Sequence, residues 1–145
     1  MRTNQRTRSM KNLLFSLTLL PLAAFAQTVP LTQDAYVVAG NASNFGGTVS
    51  MNVNGVNNSQ SLTQFDLSSL SGITAANISR ATLTIFVNKV TAAGNINISA
   101  ANGAWTESTV NGTNVPVAAA AVSSGLNISA AGVYVSVDAT NAVKA

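Results

Sequence analysis

The chain is 145 residues long, 47% hydrophobic and only 8% charged, with no cysteine and no histidine. That composition excludes disulfides, thiolate nucleophiles, a Ser-His-Asp triad and the ordinary zinc and copper sites. The formal net charge of +3 misleads about partners, because four of the seven bases crowd the first eleven residues.

Those four, Arg2, Arg6, Arg8 and Lys11, precede an apolar run over residues 13–22 that closes on Ala24-Phe25-Ala26. A positive start, a short apolar stretch and small residues two apart predict a secretory signal peptide over residues 1–26, cleaved after Ala26; Met10-Lys11 offers a second start. Residues 27–145 then hold Arg80, Lys89 and Lys144 against Asp34, Asp66, Glu107 and Asp138, a net charge of −1. Three scattered bases cannot build a phosphate-binding surface, so no nucleic-acid partner is expected. The leader is the one long apolar stretch, so no membrane span is expected either. The remaining length suits one core, and the chain is too apolar for disorder.

Period two dominates residues 27–145. Strands are predicted over residues 34–39, over residues 50–54 with Met51 and Val53 inward, and over residues 62–67, where Thr63, Phe65 and Leu67 share a parity. Residues 67–76 and 118–122 invite helix, but Ser, Gly and Thr weaken the first, and both read as crossovers or short turns. Residues 80–87 read as a strand buried on at least one side, with Leu83, Ile85 and Val87 on one face and Thr82, Thr84 and Phe86 on the other. Residues 95–99 put Ile96 and Ile98 inward, and residues 133–139 put Val133, Val135, Val137 and Ala139 inward with Tyr134, Ser136 and Asp138 outward. Asn- and Gly-rich clusters separate these runs, at residues 40–43, 45–47, 54–55, 94–95, 102–103, 111–112 and at Gly125, and mark chain reversals. Short strands with turns every 8 to 12 residues or so argue for an antiparallel all-β sandwich or barrel. Six Asn-X-Ser/Thr sequons, at Asn41, Asn57, Asn77, Asn97, Asn111 and Asn127, matter only in a host that glycosylates.

The blocks Asp34-Ala35-Tyr36-Val37, Asn44-Phe45-Gly46, Ser-Leu-Thr-Gln-Phe-Asp-Leu-Ser-Ser-Leu at residues 61–70, Ala81-Thr82-Leu83 and Trp105-Thr106-Glu107-Ser108-Thr109-Val110 follow one another in order. With Pro116 and Val135-Ser136-Val137-Asp138 the set resembles the DNRLRE-type, disaggregatase-related secreted modules, some of which are classed as carbohydrate-binding modules. The resemblance spans nearly all of residues 27–145. It implies an all-β, antiparallel jelly-roll-like β-sandwich, usually one module of a larger extracellular protein, in some cases alongside polysaccharide-degrading enzymes. Three departures stand out: Gln64 replaces a frequent basic residue, Asn111-Gly112 replaces a common Thr-Trp pair, and the family continues beyond a stretch like residues 141–145 with a Trp, a turn and closing strands. The resemblance therefore implies a sandwich without its last strands, with an unpaired edge that would aggregate or take a strand in trans.

Asp66, at a strand-to-turn junction, is placed to accept backbone N–H bonds. Asp34, Asp66 and Asp138 with backbone carbonyls could supply oxygens to a structural Ca2+, the one cofactor held open, although no compact acidic loop assigns it. No spacing among the four acids singles out a glycosidase pair, so catalysis is not expected. Trp105 either stacks on a sugar or plugs the end of the sandwich, and burial of large aromatics favours the plug. Tyr36 and Phe45 carry the same ambiguity; Tyr134, opposite in parity to the valine stripe, is the expected surface aromatic. Arg80 and Lys89 could donate to sugar hydroxyls; on charge grounds two separated bases suit a neutral polysaccharide better than a polyuronate, whereas members of the resembling family that bind acidic glycans point the other way. The expectation is a non-catalytic module, secreted or at the cell surface, that binds extracellular polysaccharide through Tyr36, Phe45, Arg80, Trp105 and Tyr134. Its rival is a structural or adhesive cell-surface module that recognises no sugar, and a small lyase or hydrolase ranks last.

Overall fold

The computed structural model describes residues 26–145, so the leader expected over residues 1–26 lies, apart from Ala26, outside the described residues. The described chain is all-β, as the alternation predicts. Its strands are β1 (Leu31–Val38), β2 (Ser59–Phe65), β3 (Thr82–Val87), β4 (Gly94–Asn102), β5 (Val117–Ile128) and β6 (Val133–Asp138), followed by one turn of helix, α1 (Thr140–Lys144). They pair as three antiparallel ribbons, β1 with β2, β3 with β6 and β4 with β5. Two 3-10 turns, Ser68–Leu70 and Ala75–Asn77, carry the chain from β2 to β3, in keeping with the crossover read over residues 67–76. Among the described residues no helix is long and apolar enough to cross a membrane.

The core is small. Ala35 and Val37, on one face of β1, are buried with Val110 from the β4–β5 side of the chain, and Leu62, Trp105 and Val115 pack against them. On β2 it is thus Leu62, not Thr63, that faces the core; Thr63 is exposed. Val110 reaches the core because residues 104–114 coil tightly: the Val110 N–H donates to the Thr106 carbonyl at 2.9 Å, and the Asn111 N–H to Asn114 Oδ1 at 2.7 Å. Val137, inward on β6, is the remaining buried aliphatic side chain.

Three expected elements differ. Residues 50–54 form no strand; Met51 and Val53 are exposed, and the segment's ladder is a single bridge between Asn54 and Ser59. Two apolar residues flanked by Ser, Asn and Gly bury too little surface to hold a strand against the tight turn at residues 55–58. Residues 118–122 are not a crossover but part of β5, the longest strand. Alanine favours helix in isolation, but five residues cannot sustain one, and pairing with β4 overrides the propensity. Gly125 and residues 94–95 likewise lie inside strands. Three register shifts accommodate the twelve residues of β5 against the nine of β4. At one of them Gly125, at φ +69°, lets its N–H turn toward Asn97 Oδ1 at 2.9 Å, a bulge that a β-carbon would strain.

Candidate functional site

The β3–β6 ribbon shows why period two matters. Register pairs Leu83 with Val137, Ile85 with Val135 and Val87 with Val133 on one face, and Thr82 with Asp138, Thr84 with Ser136 and Phe86 with Tyr134 on the other. The first set is the more covered, while every member of the second is exposed. Phe86 is 52% and Tyr134 73% accessible, and their rings meet with centroids 5.0 Å apart and planes inclined by 51°. Beside them Thr84 Oγ1 and Ser136 Oγ hydrogen-bond across the strands at 3.0 Å. The ribbon is closed at both ends, by Gly132 N–H donating to the Val87 carbonyl at 2.7 Å and Ala139 N–H to the Ala81 carbonyl at 2.9 Å. Ala81 N–H donates to Thr140 Oγ1 at 2.9 Å, which ties α1 to the start of β3. The product is a held strip of aromatic, hydroxyl and carboxylate groups facing water.

A second constellation holds three of the sequence candidates. Tyr36, on the β1 face opposite Ala35 and Val37, stacks on Phe45 with centroids 4.5 Å apart and planes within 10°; both are half-buried, and each covers one face of the other. The loop carrying Phe45 is clasped by Asn44, whose Nδ2 donates to the carbonyls of Glu107 and Val110, both at 2.7 Å. Glu107 is engaged through its own backbone and side chain: its N–H donates to Gln33 Oε1 at 2.8 Å and its Oε2 accepts the Asp34 N–H at 3.2 Å. Gly46 is buried against Glu107, leaving no room for a side chain. Trp105 packs on the core and borders a shallow depression of about 250 Å3 with Ala104, Thr106 and Asn114. These contacts hold loops in place.

The acids are tied to the backbone. Asp66 Oδ1 accepts the Ser68 N–H at 2.8 Å, the turn contact expected from the sequence, and this bond to Ser68 holds its carboxyl below the ordinary aspartate range. Asp138 is lowered in the same way by hydrogen bonds from Thr140, its Oδ1 accepting the Thr140 N–H at 2.8 Å, with smaller help from the charges of Arg80 and Lys144. Among the described residues no three Asp or Glu side chains converge as a metal would require. A depression of about 370 Å3 lies between β4, β5 and α1, floored by Ala100, Ala121 and Val122 with Asp138 as its single acid. No acid pair lines either depression.

A model of carbohydrate-binding module family 96 matches residues 26–145, the whole described length. The chain belongs to carbohydrate-binding module family 96. No curated protein matches it. The structure brings Tyr134 together with Phe86, which alternation sets on the face opposite Leu83, Ile85 and Val87 but which is not among the sequence candidates. It puts Arg80, exposed, just ahead of β3 near Asp138, and sets Tyr36, Phe45 and Trp105 in the loop-clasping end. The signal for Phe86 is its parity, opposite to Leu83, Ile85 and Val87, and only the pairing of β3 with β6 sets it on one face with Tyr134.

Proposed function

We propose that the chain is a non-catalytic, exported module that binds extracellular polysaccharide through the outer face of β3–β6. The observation that carries this reading is the exposed Phe86–Tyr134 pair on a family 96 chain. Two rings exposed side by side make a contiguous apolar patch, which marks binding surfaces where single exposed residues do not, and a tyrosine ring offers an apolar face and a polar edge to a sugar. Thr82, Thr84 and Ser136 extend the strip with groups that both donate and accept, matching sugar hydroxyls. No base lies between Phe86 and Thr82 on β3 or between Tyr134 and Asp138 on β6, which favours a neutral polysaccharide over a polyuronate. The match to a carbohydrate-binding module family supports a binding role without hydrolysis. The order of blocks along the chain supports a DNRLRE-type module with jelly-roll-like closure, and the leader over residues 1–26 supports export.

Affinity electrophoresis of the processed chain through gels containing neutral or acidic polysaccharides tests the proposal. We expect retardation by at least one neutral polysaccharide. Phe86→Ala and Tyr134→Ala should each weaken it roughly tenfold, equivalent to about 1.4 kcal/mol. Because cross-strand aromatic pairs contribute only about 0.2–1 kcal/mol to folding, both variants stay folded by circular dichroism. Tyr134→Phe should retain most binding. No retardation in any gel, or retardation indifferent to both substitutions, overturns the reading.

A further inference from the structure

We propose that the Phe86–Tyr134 pair selects single, conformationally free glycan chains over the flat faces of packed, crystalline polysaccharide. The inference deepens the proposed function and rests on it. Two rings can lie on one planar surface only if their planes coincide, and here they are inclined by 51° with centroids 5.0 Å apart. Whichever ring is laid flat on a crystal face, the other stands on edge and holds the backbone away from it. A lone chain has no such difficulty, because successive sugars turn about their linkages and can present differently oriented C–H faces to the two rings.

The rest of the strip agrees. A two-stranded ribbon is strongly twisted, so the rows Thr82, Thr84, Phe86 and Tyr134, Ser136, Asp138 follow a curved track rather than a plane. The four residue-to-residue steps from Thr82 to Phe86 advance about 14 Å, enough for a short run of sugars but not for a broad lattice. The Thr84–Ser136 hydrogen bond occupies one hydroxyl proton and leaves the other hydroxyl proton and the remaining lone pairs for a ligand. At the far end Asp138, paired in register with Thr82, offers acceptors to sugar hydroxyls.

The test pairs one linkage chemistry in two physical forms: hydroxyethylcellulose against microcrystalline cellulose, and soluble glucomannan against crystalline mannan. Binding to the soluble form is read by isothermal titration and to the solid by depletion, for the full chain and for Phe86→Ala and Tyr134→Ala. The expected result is at least tenfold tighter binding to the soluble member of a pair, reduced by either substitution. Equal or tighter binding to the crystalline member overturns this inference and leaves the glycan-binding reading standing. A soluble preference that neither substitution alters also overturns it, since selection would then lie elsewhere. No binding to either form of either pair overturns this inference, and the glycan-binding reading falls with it only if every polysaccharide gel also fails to retard the chain.

Discussion

The side-chain amide of Asn44 donates to the carbonyl of Val110 at 2.7 Å, so a surface loop is tied to one of the two largest fully buried side chains in the described fold. The same amide also takes the Glu107 carbonyl, and its Oδ1 accepts the Gly46 N–H at 3.2 Å. One residue thus satisfies backbone groups on two segments more than sixty positions apart. Its effect is on the fold, and through the fold on how the β1 and β4–β5 ends meet.

Replacing Asn44 with alanine leaves the part-buried Val110 carbonyl and Gly46 N–H without their partner, while the Glu107 carbonyl, bonded at an exposed site, turns to water. The expected loss is about 1–3 kcal/mol, read as a lower urea midpoint with an unchanged slope. Asn44→Asp should be worse than Asn44→Ala, because a carboxylate would face the two carbonyl oxygens without a donor. If Asn44→Asp matches the parent in midpoint, the clasp contributes nothing.

Gly112 explains one departure from the resembling family. Its N–H donates to the Asn41 carbonyl at 2.8 Å and its carbonyl accepts the Gly40 N–H at 3.1 Å. This brings its α-carbon so close to Val38 that a methyl there would overlap the Val38 carbonyl oxygen. Gly112→Ala should therefore cost at least about 2 kcal/mol, since the obstacle is backbone that cannot swing aside. A melting temperature within a degree of the parent would contradict this.

Trp105 separates its two readings by what its loss changes. Packed against Ala35, Val37 and Val110 but only half-buried, it should cost about 2–3 kcal/mol as alanine, below the range for a fully enclosed tryptophan. Polysaccharide affinity of the folded fraction should be unchanged. A variant that keeps its melting temperature but loses retardation would move the binding face to this end of the molecule.

Asp66 and Asp138 should make the fold weaker in acid. Hydrogen bonds from Ser68 and Thr140 hold both carboxyls below their ordinary value. A folded pKa below the unfolded one means that the stabilisation is present above the unfolded value, about 3.9, and is lost as pH falls through the folded values. Urea midpoints should thus fall between about pH 5 and pH 2. The Asp66→Asn, Asp138→Asn double variant keeps the turn acceptors without the titration and should show a flatter profile. Parallel profiles would rule out these two carboxyls as the source.

Much of the fold was legible because pleated strands repeat every two residues. Residues 80–87 and 133–139 carry the two faces of β3 and β6 in their alternation, and parity alone put Tyr134 outward; that the Phe86 face is the open one came from the structure. Residues 50–54 showed the same alternation and failed, because alternation says which face would be buried, not whether anything lies opposite to bury it. Residues 118–122 failed in the other direction: alanine's local preference yielded to hydrogen bonds offered by β4, a partner about twenty residues away.

By itself the sequence determined the strand-rich class, the near-neutral charge of residues 27–145, the missing cysteine and histidine chemistry and the backbone-bound role of Asp66, since each depends on residue type or on neighbours within a few positions. The tertiary structure alone decided that β3 pairs with β6, that Phe86 and Tyr134 therefore touch at an inclined angle, and that Tyr36, Phe45 and Trp105 stand at the clasped end instead. Those outcomes depend on which strands meet and in what register, and register is settled by burying the whole apolar set at once, a property no local stretch of chain contains.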